Sequence, residues 1–136
     1  MKRGLFILLT LFLLGAQGQA LAHKPSDSYL TLRASPDSAD ISVRWDIALR
    51  DLDYVLQLDR DGNGELTWGE VRQRRDDIVR LATSRLALTA AGKSCPWASD
   101  SAASQPLMLD QHSDGTYAVL NLTVQCPSLA GELKAR

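Results

Sequence analysis

The sequence predicts an α+β domain: a small antiparallel β-sheet or sandwich of about five strands, carrying an inserted helix-loop-helix and stapled by one disulfide. Three observations carry this. Apolar and polar residues alternate with period two in Ser28 to Ala34, in Ala39 to Leu49 and on both sides of Ser113-Asp114-Gly115. Between the second and third of these regions the period changes to that of a helix, on either side of an acidic, Gly-containing loop. Cys95 and Cys126 are the two cysteines of the chain, and both lie in its second half.

The chain opens on a secretory signal. Lys2 and Arg3 form a basic start, Leu5 to Leu14 an apolar run of about ten residues, and Ala20-Leu21-Ala22 a small-x-small cleavage site. That run is too short to span a bilayer of roughly 30 Å as a helix. Residues 1–22 are therefore expected to be removed, leaving a single exported domain from His23 to Arg136 and a location in the periplasm or outside the cell. Without Lys2 and Arg3 there are thirteen basic residues against sixteen acidic ones, a mature charge of about −3 that gives no footprint for nucleic acid. An oxidising compartment and an even cysteine count predict the Cys95–Cys126 disulfide, closing a loop of about thirty residues.

Ser28 to Ala34 reads as a half-buried strand, with Pro36-Asp37-Ser38 as the turn into the next. In Ala39 to Leu49, Ile41, Val43, Trp45, Ile47 and Leu49 share one face, and Ser42, Arg44 and Asp46 the other, so the two strands suit a hairpin. Asp51 is the expected N-cap of a short helix, with Asp53 in its first turn and Leu52, Val55 and Leu56 on its buried side. A second helix is expected from about Trp68 to Arg85, with Trp68, Val71, Ile78 and Leu81 facing inward. Its arginines alternate with Asp76 and Asp77, which reads as a solvated face. Leu86 to Ala90 reads as a strand, Ala91-Gly92-Lys93 as a turn and Trp97 to Gln105 as an irregular loop. Leu107 to His112 and Thr116 to Gln125 then form the clearest hairpin, because Asp114-Gly115 supplies turn chemistry.

The stretch between the two helices carries the chemistry. From Asp59 to Glu70 the chain places Asp59, Asp61 and Asn63 at positions 1, 3 and 5, Gly64 at position 6 and Glu70 at position 12, the full pattern of an EF-hand calcium loop. A hard cation that takes six to eight oxygens needs ligands on alternate residues and a sharp midpoint turn, and this spacing supplies both. Glu65 is expected to contribute its carbonyl, Thr67 a direct or water-mediated contact, and Glu70 both carboxylate oxygens. Leu66 stands at position 8, where such loops pair with a second loop, and the sequence holds no second one. An unpaired hand suggests a structural or weak Ca²⁺ site, on the order of 10⁻⁴ to 10⁻³ M.

Four stretches, His23 to Leu30, Trp45 to Asp53, the loop from Asp59 to Glu70, and His112 to Leu120, together resemble the exported N-terminal region of the HupE/UreJ-type family of bacterial membrane proteins. The resemblance implies an association with hydrogenase or urease gene clusters and a membrane part that handles nickel or a similar transition metal. Here no second apolar run follows, so transport is not implied, and the expectation is a stand-alone exported version or a truncated reading frame.

Two readings of function follow. The first is a non-enzymatic, exported calcium-binding protein in which Ca²⁺ orders the helices on the sheet. The second is a transition-metal binding or delivery module, for nickel or copper, in which the mature terminal His23 chelates through its amine and imidazole, with His112 the only other imidazole. No nucleophile-base-orienter spacing is present, so catalysis is not expected, and no partner protein or oligomeric state is indicated.

Overall fold

The computed structural model describes residues 27–35, 38–99, 105–128 and 131–136. The signal segment, His23 and the Pro36-Asp37 turn lie outside them. Among the described residues the fold is α+β, with two antiparallel sheets of four and three strands, three helices and the Cys95–Cys126 disulfide.

Strands β1 (Ser28–Ala34) and β2 (Asp40–Ala48) pair antiparallel as their alternation predicts, with Leu30 opposite Trp45 and Leu32 opposite Val43. β2 also pairs with β6 (Gly115–Gln125), which in turn pairs with β5 (Met108–His112), giving the order β1-β2-β6-β5. The second sheet is built from β3 (Leu88–Ala90), flanked by β4 (Lys93–Cys95) and β7 (Leu133–Ala135). Neither β4 nor β7 is among the expected strands. Each is three residues long, too short for a period-two pattern to stand out, and both owe their extended form to pairing with β3.

One face of the four-stranded sheet is the core. Ile41, Val43, Ala118, Leu120, Leu122 and Val124 point to it and pack on Leu52, Leu58, Ile78 and Ala82 from the helical insertion. Helix α1 (Leu49–Leu56) rests on β2 and β6, while α3 (Arg75–Arg85) packs against α1. Leu58, directly ahead of the loop, is fully buried, so the loop's entry is anchored in the core.

Further details differ from the sequence expectations. Val55 and Trp68, expected on inward faces, are 56% and 41% exposed. Asp51 is not the N-cap: α1 begins directly off β2 at Leu49, with Ala48 at the cap position and Asp51 inside the first turn. The long second helix is two helices, α2 (Trp68–Gln73) and α3, broken at Arg74. The Arg74 N–H divides between the Glu70 and Val71 carbonyls, which tightens the turn. Asp76 and Asp77 then stand in the first turn of a new helix, where its dipole favours acids. Asp77 accepts from both Arg74 and Arg80, holding the break. Finally, Trp97 is not in an irregular loop but bridges to Val124.

Candidate metal centre

The loop from Asp59 to Glu70 is shaped by its own acids. Asp59 Oδ1 accepts the Gly62 N–H and Oδ2 the Gly64 N–H, both at 2.9 Å. Asp61 Oδ1 accepts from the Asn63 amide at 3.2 Å, and Asn63 Oδ1 accepts from the Glu65 amide at 2.7 Å. The chain turns through Gly62 and Gly64 at φ of 68° and 82°, a left-handed conformation that side chains resist. Asp53 holds the entrance, accepting the N–H groups of Leu58 and Asp59 on Oδ1. This is a different task from the helix-start role its position suggested. The reason lies in Gln57, whose left-handed backbone ends α1 and turns these amides back toward the helix.

Glu70 closes the circle. Its Oε1 accepts from the Arg60 amide at 3.0 Å, and its Oε2 from the Thr67 amide at 3.0 Å and the Thr67 hydroxyl at 2.7 Å. Thr67 is also the N-cap of α2, so the pair forms a reciprocal capping box. The Thr67 amide, then its hydroxyl, then the Arg60 amide hold the Glu70 carboxyl below the usual carboxylate range. Asp77 and Asp110 are likewise held low, the first chiefly by Arg74 and the second chiefly by Arg44.

All three groups favour the ionised form in the folded state, so their contribution is present above the unfolded pKa and is lost as pH falls through the folded one. The melting temperature should therefore decline below about pH 4 and be insensitive to these groups between pH 5 and 8. Thermal melts from pH 2 to 8 check this. A Glu70→Gln variant should show a shallower acid decline, and an identical one would remove Glu70 from the account.

One ligand oxygen from each of Asp59, Asp61 and Glu70 lies within 4.8 Å of the others. No salt bridge to these three occurs among the described residues. Of the remaining residues read as ligands, Asn63 is tied to Asp61 through both its backbone and side-chain amides, Glu65 is exposed, and the Thr67 hydroxyl faces Glu70.

A second group of metal-ligand type was not foreseen: Asp46, Asp110 and His112, again with donor atoms within 4.8 Å of one another. The alternation of β2 placed Asp46 on a polar face, yet only 4% of it is exposed. Its cover comes from Arg44 on its own strand and from residues far away in sequence. Arg44 Nε and Nη2 donate to Asp46 Oδ1 and Oδ2 at 2.9 Å, Nη2 also reaches Asp110 Oδ2 at 2.6 Å, and His112 Nε2 lies 3.2 Å from Asp46 Oδ2. His112 is stacked on Tyr29, with centroids 4.8 Å apart, and tilted against Tyr117 at 4.2 Å. Burial, and then a hydrogen bond to Asp114, push the Tyr117 phenol up to about 12.

The two groups differ in one respect that decides their chemistry. In the sheet group the Arg44 guanidinium already bridges both carboxylates, so a metal would have to displace a charge-assisted fork. In the loop group, backbone amides shape the carboxylates, and among the described residues no side-chain cation neutralises them.

The chain matches no family model, no curated protein and no solved structure. No helix among the described residues is long and apolar enough to cross a membrane, and the disulfide is consistent with an oxidising compartment.

Proposed function

We propose that this is an exported, non-enzymatic calcium-binding protein whose ion is held by Asp59, Asp61, Asn63, Glu65, Thr67 and Glu70. The observation that carries the reading is the convergence of the Asp59, Asp61 and Glu70 oxygens in a loop already turned by its own backbone hydrogen bonds. That loop follows the EF-hand spacing at every liganding position, and a hard, oxygen-only site suits Ca²⁺ better than a soft transition metal. The calcium is structural in this reading, joining α1 and α2 across the loop. The resemblance to the HupE/UreJ-type exported region is compatible with a role beside a membrane partner. The nickel or copper reading through His23 and His112 is less well supported, because His112 is engaged by Asp46 and stacked on Tyr29.

Calorimetric titration of the purified protein tests the proposal. Saturable heat with Ca²⁺ in the range 10⁻⁴ to 10⁻³ M and a much weaker response to Mg²⁺ are expected, and no heat at millimolar Ca²⁺ would sink it. Gly64→Ala should weaken the binding about five- to thirtyfold, because a Cβ in the left-handed region strains the turn by roughly 1 to 2 kcal/mol although nothing crowds it. An unchanged affinity would mean that the metal does not use this turn.

Calcium should also order the protein locally. Without the ion the loop's uncompensated acids repel one another, and α1, eight residues long, has little helical stability of its own. Hydrogen exchange with a chelator should show faster exchange from Leu52 to Leu81 while β5 and β6 stay protected. Loss of protection along the whole chain would instead make calcium a requirement for the entire fold.

A further inference from the structure

The face of the four-stranded sheet opposite the helices carries a polar cavity of about 270 Å³. Six of its lining side chains form two ranks across β1, β2 and β6: Arg33, Ser42 and Thr123 in one, Thr31, Arg44 and Asn121 in the next. They share a face because they alternate with the core residues Val43 and Leu122 along their strands. None of the described lining residues is acidic, in a protein whose acids outnumber its basic residues. Arg44 commits Nε and Nη2 to Asp46 and Asp110, on the side of the cavity where those acids lie. Arg33 makes no ion pair or hydrogen bond through its side chain among the described residues, so its guanidinium is the uncompensated charge of the cavity.

We propose that this cavity binds a small oxyanion, a carboxylate or phosphate group, held by the Arg33 fork with the hydroxyls of Thr31, Ser42 and Thr123 and the Asn121 amide as further donors. A guanidinium presents two parallel N–H groups at the spacing of a carboxylate or phosphate edge, and neutral hydroxyls beside it add donors without adding repulsion. The Arg44–Asp46–Asp110 network has the separate task of holding the far wall in place. The site lies on the sheet's outer face, and its binding is independent of the calcium loop.

The test is an amide NMR titration of metal-free protein with inorganic phosphate and, separately, acetate, at constant ionic strength. Saturable shifts at Arg33, Ser42 and Thr123 are expected. Response to both anions assigns a general oxyanion site, while response to one assigns the phosphate or the carboxylate as its ligand. Arg33→Gln should weaken the binding at least about tenfold through loss of the charge-assisted fork. It should leave the rest of the spectrum in place, since Arg33 is exposed on an edge strand. Arg80→Gln, on the exposed side of α3, and Glu70→Gln, in the calcium loop, should bind as the unchanged protein does. Absence of saturable shifts with either anion, or equal weakening by Arg33→Gln and Arg80→Gln, overturns the proposal.

Discussion

Replacing Glu70 with alanine is expected to remove the proposed calcium binding from the measurable range, a loss of at least about a hundredfold, because in the proposed site the residue at position 12 supplies two ligand oxygens at once. The same change opens the loop without metal. Glu70 receives the Arg60 and Thr67 amides and the Thr67 hydroxyl, so its truncation unmakes the capping box of α2 together with the link between the two ends of the loop. Glu70→Gln separates the two effects. Glutamine can still fill the N3 place of a capping box, so the helix start should survive, while the ionic ligand is gone. Calorimetry should therefore show both variants silent with Ca²⁺, and circular dichroism should show a loss of helix in Glu70→Ala alone. Calcium binding by either variant near the unchanged affinity would place the ion elsewhere in the protein.

Loss of the disulfide should produce the largest fall in stability. Cys95 and Cys126 are separated by 31 residues, and closing a loop of that length stabilises the fold by about 3 to 4 kcal/mol through the entropy of the unfolded chain. The bond joins the end of β4 to the residue after β6, and so ties the small sheet to the large one. The neighbouring backbone contacts from the segment after β4 to β6, Ala98 N–H to Thr123 and Gln125 N–H to Pro96, lie on the same seam. A Cys95→Ala, Cys126→Ala variant should melt more than about 10 °C lower, and urea denaturation should report the same free-energy loss. The loop from Asp59 to Glu70, seated on α1 and α2, should still bind the proposed ion. A stability within 1 kcal/mol of the parent would show that the seam holds without its covalent link.

The sequence by itself determined the parts whose signal is local. Period-two alternation placed β1, β2, β5 and β6 to within a residue or two, and Asp114-Gly115 marked the turn between the last pair. The loop was legible because its geometry is written into twelve consecutive residues: Asp59 and Asp61 accept from amides two to five positions ahead, and Glu70 reaches back to Thr67 and Arg60. An even cysteine count was enough to predict the Cys95–Cys126 pairing.

Tertiary structure alone decided what depends on distant partners. The three-residue strands β4 and β7 are extended because β3 offers them free backbone groups on both sides, which no local pattern announces. The break at Arg74 reflects an N–H shared between two carbonyls and an Asp77 held between two arginines, a balance that hydrophobic periodicity does not register. Asp46 is the clearest case. Its place in β2 reads as a solvated position, and it is buried because β5, more than sixty residues later, brings Asp110 and His112 onto the same face beside Arg44. A charge can leave water only where partners are already positioned to replace the water's hydrogen bonds, and only the packing of the strands supplies that condition.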